Sequence, residues 1–170
     1  MRIFRMPESM KGKEIVKLDI NKLIELLNKA LADEWLAYYQ YWVGSKIAIG
    51  PMREAVAKEL AEHAGEELQH AEMLVNRILQ LGGKPILNPQ DWFKLTNCGY
   101  EVPEDPSVGA LLKQNIKGEQ CAIEVYYKLL EVTRDKDPVT SKMVLEILED
   151  EIEHESDLQA LLEDLELSKE

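Results

Sequence analysis

Residues 67–70 read Glu-Leu-Gln-His, and residues 151–154 read Glu-Ile-Glu-His. In a helix, residues three apart lie on one face, one turn from each other, so each tetrapeptide places a carboxylate beside an imidazole. The chain has three histidines in total, and two of them fall in this pattern. A single match in a Glu-rich helix is usually a solvated face. Two matches indicate a pair of helices that direct metal ligands into a shared interior.

Four long helices and one long connection are predicted around these motifs, because apolar residues recur at helical spacing and Gly and Pro mark the ends of the stretches. The predicted helices span residues 20–47, 51–81, 106–134 and 138–165. Two short loops, and a crossover between helices 2 and 3 that is long enough to run along a bundle, predict an all-α, up-down-down-up four-helix bundle. Residues 1–17 form an N-terminal tail, and residues 18–168 form this single bundle domain.

Particular residues mark the ends of the predicted elements. Asp137 is a predicted helix N-cap, and Pro51 suits the first position of the second helix. Residues 84–105 are rich in Pro and Asn and are predicted to be irregular. We expect Trp92 and Phe93 to pin this connection against the side of the bundle.

The first and third helices each supply one further carboxylate at a matching position. Glu34 lies in an apolar and aromatic stretch, and Glu119 lies among apolar residues. Glu34 precedes Glu67 by 33 residues, and Glu119 precedes Glu151 by 32 residues, so the chain reads as two similar hairpins. Related by a pseudo-twofold axis, they offer four Glu and two His to two metal ions, a set typical of di-iron carboxylate bundles. Carboxylates bridge such ions and favour Fe(III), and imidazole adds a neutral ligand.

The residues directly before the two motifs repeat the symmetry. Glu66 precedes the first motif, and Asp150 precedes the second. We hypothesise that Glu66 orients His154 and that Asp150 orients His70 across the bundle, because a metal-ligating histidine usually donates its second ring nitrogen to a carboxylate. Two solvated surface acids are the equal alternative.

The composition is strongly acidic, with a formal net charge of −12 over 170 residues. Such a surface repels nucleic acid and anionic membranes and attracts cations. No apolar run reaches the roughly 18 residues of a membrane span, and the N-terminus has no secretory signal, so we expect a cytoplasmic protein. The tail over residues 1–17 carries five basic against two acidic residues. We interpret it as a solvated tail, and DNA binding is not expected.

Together these residues resemble the ferritin superfamily, and the bacterioferritins most closely, over residues 18–165. The stretch RILQLGGKP over residues 77–85 resembles the end of the second helix of that family. The resemblance implies two iron ions per subunit, with Zn or Mn able to substitute. Tyr41, seven residues after the first ligand, matches the tyrosine near the site and is expected to donate an electron. Leu68 stands where bacterioferritins carry a haem-binding methionine, so no haem is expected. The implied metal ligands are Glu34, Glu67, His70, Glu119, Glu151 and His154.

The length of the chain and its two cysteines refine the resemblance. The sequence ends soon after the fourth predicted helix, without the short fifth helix of larger ferritin cages, and this favours a dodecameric Dps-like shell or a simple dimer. A bacterioferritin-type site, a mini-ferritin length and a cysteine pair are similar to the Dps-like group also called thioferritins. In that group the cysteines lie close to the di-iron site. The implied activity is oxidation of Fe(II) with H2O2 or O2, for iron storage, detoxification and protection against oxidative stress.

The cysteines and the third histidine have several interpretations. Cys98 and Cys121 are either two buried reduced thiols or a redox pair that forms a disulfide and exchanges electrons with the iron site. Two residues turn a helix by about 200°, so Cys121 should not share the face of Glu119 or bind iron directly. His63, one turn before Glu67, could guide iron inward or act as a transient ligand, but we favour the interpretation as a partly exposed structural histidine.

Three other functions stay open. A peroxidase of the rubrerythrin type would act as a dimer without storing iron, although the chain has no Cys-x-x-Cys pair for a rubredoxin-like domain. A manganese catalase uses a similar ligand set. A metal-free structural bundle would require both Glu-x-x-His pairs to be accidents.

Overall fold

A computed structural model describes residues 11–168, so the first ten residues of the predicted N-terminal tail lie outside the described part. The long helices are α1 (Ile20–Ile47), α2 (Arg53–Gln80), α3 (Val108–Thr133) and α4 (Pro138–Leu167). α1 packs against α2, and α3 packs against α4, which confirms the predicted all-α, up-down-down-up bundle of two hairpins. No helix within residues 11–168 combines the length and the apolar character that a membrane span requires.

α1 and α4 begin at the residues predicted from the sequence, but α2 does not. α1 begins at Ile20 because the Asp19 side chain accepts hydrogen bonds from two backbone N–H groups of its first turn. The prediction that Pro51 opens α2 is wrong, since Pro51 lies in a turn and the helix begins at Arg53. Met52 between them has a left-handed φ of 61°, which interrupts the helical path.

The connection between α2 and α3 is less irregular than predicted. It contains two short helical segments, Pro89–Asp91 and Trp92–Leu95. The first forms because the Asn88 side chain caps it. Trp92 stacks on Trp35 of α1 with ring centroids 5.4 Å apart, which confirms its expected role. Phe93 is 63% exposed, so the expectation that it also pins the connection is wrong.

Two polar side chains of α1 hold the ends of the connection. The Asn28 side chain donates from Nδ2 to the Lys84 carbonyl at 3.1 Å, and its Oδ1 accepts from the Ile86 backbone N–H at 2.9 Å. Asp33 is buried and accepts hydrogen bonds from the backbone N–H groups of Asn97 and Cys98 at 2.8 and 3.0 Å. These bonds fix where the connection leaves and rejoins the bundle, and they place Cys98 beside α3.

The apolar core is divided into two clusters along the bundle, and each draws on all four helices. Tyr126 belongs to the first cluster and Tyr41 to the second. Between the clusters the four helices carry a layer of buried ionisable side chains. Fully buried members are Leu27, Leu74 and Ile147 in the first cluster, and Leu60, Leu111 and Leu158 in the second.

Candidate metal centre

Six ionisable side chains occupy the layer between the two apolar clusters. α1 and α3 each supply one glutamate, and α2 and α4 each supply a glutamate followed one turn later by a histidine. None of the six is more than 3% exposed. All come from one chain, and together they are the whole ligand set predicted from the sequence. The six are Glu34, Glu67, His70, Glu119, Glu151 and His154.

Glu67 and Glu151, here called the central glutamates, each direct one oxygen toward each imidazole. Nδ1 of His70 lies 3.6 Å from Glu67 Oε2 and 3.3 Å from Glu151 Oε1. Nδ1 of His154 lies 3.4 Å from Glu67 Oε1 and 3.6 Å from Glu151 Oε2. Two possible metal-binding groups result, and because they share both central glutamates, they suit two adjacent cations bridged by carboxylates. One group consists of Glu34, Glu67, His70 and Glu151. The other consists of Glu67, Glu119, Glu151 and His154.

Most of the potential ligand atoms lack a hydrogen-bond partner within the described chain. Seven buried side-chain nitrogen or oxygen atoms are unpaired, and six of them belong to this site. A buried polar atom without a partner costs about 1–3 kcal/mol, so a convergent set of them favours a bound cation. Carboxylate oxygens and imidazole nitrogens are accepted ligands of iron, manganese and zinc, so the residues fit a pair of such ions. The six atoms are Glu34 Oε2, Glu67 Oε1, His70 Nδ1, Glu151 Oε1, Glu151 Oε2 and His154 Nδ1.

Each of these histidines directs its other ring nitrogen toward a carboxylate on the opposite helix. His70 Nε2 lies 3.0 Å from Asp150 Oδ2, and His154 Nε2 lies 2.8 Å from Glu66 Oε2. These are the two pairings hypothesised from the sequence. A proton on Nε2 satisfies such a bond and leaves the Nδ1 lone pair directed into the site.

Two tyrosines donate hydrogen bonds to the outer glutamates, Glu34 and Glu119. Tyr41 donates to Glu119, and Tyr126 donates to Glu34. Burial, and then the negative charge of the accepting glutamate, raises the pKa of each tyrosine well above its ordinary value, so both keep the donated proton. Sequence reasoning missed Tyr126. The signal was available, because each tyrosine follows the outer glutamate of its own helix by seven residues.

The electrostatics of the site favour bound protons when no cation is present. Burial raises the pKa of Glu34 and Glu119 well above the ordinary value, and the charges of the central glutamates raise it further. Burial alone would lower the pKa of His154, but its contacts with the central glutamates outweigh burial and raise the pKa to about 10. The pKa of His70 is raised by the same balance. A metal ion therefore has to displace protons to bind.

A cavity of about 570 Å³ reaches the site between α1, α3 and the connection, and its lining includes Glu34, Glu119 and both cysteines. Cys98 and Cys121 are joined by a disulfide, with their Cα atoms 5.8 Å apart. The interpretation as two buried reduced thiols is therefore wrong, and both residues are partly exposed. They meet because Asp33 holds the Cys98 backbone next to α3. Neither cysteine belongs to a possible metal-binding group of the described residues.

His63 is 2% exposed, so the expectation of a partly exposed histidine is wrong. Its ring stacks on that of His154 from α4 with centroids 4.1 Å apart, and the Tyr41 ring from α1 packs edge-on against it at 5.3 Å. Its Nδ1 is the seventh buried atom without a partner. Burial, and then the nearby charge of His154, lowers the pKa of His63 to about 3, so the imidazole is neutral.

A four-helix bundle with one Glu from each of two helices, and a Glu-x-x-His pair from each of the other two, defines the class of di-metal carboxylate bundle proteins. A family profile described as the ferritin-like domain matches residues 24–168. The chain belongs to the ferritin-like family.

Individual relatives agree with this assignment. The chain is 40% identical over 147 residues to the DNA protection during starvation protein of Pyrococcus furiosus, covering 85% of this chain and 79% of that protein. It is 33% identical over 143 residues to the bacterioferritin of Streptomyces coelicolor, covering 84% and 80%. Among solved structures, a dodecameric thioferritin of Bacteroides fragilis, a bacterioferritin-related protein, matches with a TM-score of 0.89 and 46% identity over 90% of this chain and 91% of that chain. Dps from Thermosynechococcus elongatus matches in fold, with a TM-score of 0.80 and 17% identity over 90% and 95%.

Proposed function

We propose that the protein is a di-iron ferroxidase that oxidises Fe(II) with H2O2 or O2, and that it stores or detoxifies iron and thereby limits oxidative damage. The observation that carries the proposal is the convergence of unpaired carboxylate and imidazole atoms from four helices in one buried layer. Membership of the ferritin-like family supports iron handling in general. The ligand set supports the more specific redox role, because carboxylates favour Fe(III) over Fe(II).

The residues of the chain have distinct parts in this mechanism. The six ligands would hold a pair of Fe(II) ions, which would supply two electrons to the oxidant. The central glutamates would belong to both metal positions, and the outer glutamates, which accept hydrogen bonds from Tyr41 and Tyr126, would complete one position each. Glu66 and Asp150 hold the imidazoles in the orientation that presents Nδ1. With peroxide the reaction balances as two Fe(II), one H2O2 and two protons giving two Fe(III) and two waters. In this proposal Tyr41, which donates a hydrogen bond to Glu119, gives an electron only to quench a radical left by incomplete reduction of the oxidant.

The disulfide supports a redox role for the cysteine pair in the same proposal. Cys98 and Cys121 line the cavity that also reaches Glu34 and Glu119. Oxidation of the two thiols to the disulfide releases two electrons and two protons, which reduce one H2O2 to two waters. An external thiol reductant then restores the dithiol. Cys98→Ser should lower peroxide turnover in the presence of dithiothreitol and leave the single oxidation of bound Fe(II) intact. Unchanged turnover would count against the redox pair.

Assembly into a small cage is the third part of the proposal. The Bacteroides fragilis protein is dodecameric and is 46% identical over most of the chain. Light scattering of the purified protein should therefore give a mass near twelve 19.5 kDa subunits. A dimer would remove the storage role and favour the alternative of a rubrerythrin-like peroxidase.

The ferroxidase activity is tested by adding two Fe(II) per chain without oxygen and then titrating H2O2. We expect one H2O2 to be consumed per two Fe(II), with a fast absorbance change in the wild type. Glu119→Ala should lose the fast phase. Glu124→Ala is the matched control, because Glu124 lies on the same helix, exposed and paired with Lys128. Equal rates in both variants would refute the assignment of the site.

A further inference from the structure

The cavity between α1, α3 and the connection, here called the α1–α3 cavity, is far larger than H2O2 or O2 requires. Its volume is about 570 Å³, and it reaches the outer glutamates Glu34 and Glu119. H2O2 and O2 are close in size to water, which takes about 30 Å³ of liquid volume. Cavities of about 300–1,000 Å³ hold small organic molecules. The space beside the outer glutamates therefore suits an oxidant that carries an organic group.

Small side chains of α1 and α3 keep this cavity open. Ala37, Gly118 and Ala122 are among the residues that line it. A Cβ atom added at Gly118 meets nothing within 4 Å, so this glycine faces open space. Glycine inside a helix is less favourable than alanine by about 0.5–1 kcal/mol. No packing contact within residues 11–168 requires glycine at this position, and the volume next to it is available to a ligand.

The charges around the α1–α3 cavity suit an uncharged molecule. Apart from the predicted metal ligands, its lining contains two carboxylates, and each has a partner. Glu101 Oε2 lies 3.0 Å from Lys117 Nζ, and Asp33 accepts hydrogen bonds from backbone N–H groups of the connection. The cavity between α2 and α4 differs, because six carboxylates and no lysine or arginine are among the described residues that line it. A cavity of one sign attracts ions, whereas paired charges leave room for a neutral apolar group.

Two amide side chains offer hydrogen bonds in the same cavity. Asn115 is 2% exposed and lies one turn before Glu119 on α3. Its Oδ1 accepts from Gln40 Nε2 at 3.3 Å, and its Nδ2 donates to the Leu111 carbonyl at 2.8 Å. Both amides line the cavity, as does Tyr41. A neutral amide can accept the O–H of a hydroperoxide and donate to its oxygens, and it does not select for charge.

We propose that uncharged organic hydroperoxides are substrates of the di-metal site and that the α1–α3 cavity holds their organic group. The proposal rests on the proposed ferroxidase function, which supplies the electrons. Two Fe(II), one hydroperoxide ROOH and two protons give two Fe(III), one alcohol ROH and one water. The O–O bond breaks, so that one oxygen leaves in the alcohol and the other as water. The alcohol keeps the organic group and should therefore bind in the cavity without any redox step.

Cumene hydroperoxide is the probe, because its products report how it is reduced. Two Fe(II) per chain are bound without oxygen, and the hydroperoxide is then titrated. Reduction by two electrons gives 2-phenyl-2-propanol, whereas reduction by one electron gives a radical that fragments to acetophenone. We expect the alcohol, one hydroperoxide consumed per two Fe(II), and a fast absorbance change. Acetophenone as the main product, or oxidation no faster than that of free Fe(II), would overturn the proposal.

Gly118→Leu tests the cavity, since a leucine side chain extends into the open space. The ratio of the oxidation rate with cumene hydroperoxide to that with H2O2 should fall about tenfold or more, because the organic group loses its space. Gly65→Leu is the matched control. Gly65 is also a helical glycine with nothing within 4 Å of an added Cβ, but it lines the cavity between α2 and α4. The same ratio in both variants would refute the role of the α1–α3 cavity.

Binding of the product alcohol separates this proposal from the ferroxidase proposal. Zinc has no redox chemistry, so calorimetric titration of the zinc-loaded protein with 2-phenyl-2-propanol measures occupancy of the cavity alone. The wild type and Gly65→Leu should bind the alcohol, and Gly118→Leu should not. Fast oxidation by H2O2 without binding of the alcohol would refute the organic substrate and leave the ferroxidase function standing. Loss of oxidation with both oxidants, while the alcohol still binds, would refute the ferroxidase function and the hydroperoxide proposal with it.

Discussion

Replacing Asp150 with alanine should weaken binding of one metal ion and spare the other. Asp150 Oδ2 lies 3.0 Å from His70 Nε2, whereas the other imidazole, His154, pairs with Glu66. Without the carboxylate, the His70 ring loses the bond that sets its tautomer and orientation. The central glutamates still hold both positions together, so the second ion should bind nearly as before.

The expected magnitude follows from the exposure of the pair. Loss of a carboxylate that supports a metal-ligating histidine typically lowers metal affinity about 10–100-fold, or roughly 1.4–2.8 kcal/mol. The His70 side chain is 2% exposed, but that of Asp150 is 47% exposed, so water can replace part of the interaction. We therefore expect an effect near tenfold. Asp150→Asn, which keeps an acceptor oxygen and removes only the charge, should fall between alanine and the wild type.

The assay is a competition titration with Co(II) or Zn(II) against a coloured chelator, which resolves two binding steps. Glu153→Ala is the control, because Glu153 lines the same cavity between α2 and α4 as Asp150 does, but its carboxylate makes no hydrogen bond to His70 or His154. Equal affinities for Asp150→Ala and Glu153→Ala at both steps would refute the view that Asp150 acts through His70. A tenfold loss in both variants would instead indicate a general charge effect.

Two further predictions concern stability. Asp137→Ala should lower the free energy of unfolding, measured by urea titration, by about 3–5 kcal/mol, because it leaves the buried Arg77 guanidinium without a carboxylate partner. The control is Asp19→Ala, which removes a helix cap that pairs with no buried charge and should cost only about 1 kcal/mol. The metal-free protein should lose thermal stability as the pH rises from 6.5 toward 10. The pKa of His154 is raised from 6.5 to about 10 in the folded protein, so protonated His154 stabilises the fold fully below pH 6.5, and this stabilisation is lost as the pH rises to about 10. The zinc-loaded protein should lack this loss, and a parallel decline in both forms by differential scanning calorimetry would contradict the assignment.

The bundle and the position of its polar layer were predictable because they depend on local periodicity. The spacing of three between Glu67 and His70 fixes a shared helical face, whatever packs against it. The near-equal separations of the outer and central glutamates place them at the same height in each hairpin. The same reasoning extends to Tyr126, whose seven-residue offset from Glu119 repeats that of Tyr41.

Features that depend on contacts between distant segments could not be read from the sequence. The Cys98–Cys121 disulfide forms because Asp33, far away on α1, holds the returning connection in place. His63 is buried because the rings of Tyr41 from α1 and His154 from α4 pack against it, and nothing in α2 alone indicates these contacts. The late start of α2 depends on the backbone conformation of Met52, a residue type that does not favour positive φ.

Asp33 and Glu34 are adjacent residues of α1 with different roles. One holds the backbone of the disulfide segment, and the other reaches the metal site. Two equilibria, disulfide opening and metal binding, thus share a single peptide unit of α1. Any coupling between them is reciprocal, so the factor by which reduction changes metal affinity equals the factor by which bound metal shifts the dithiol–disulfide balance. Each tenfold of coupling would correspond to about 30 mV in the reduction potential of this two-electron couple, so the potential of the cysteine pair would report the occupancy of the proposed metal site.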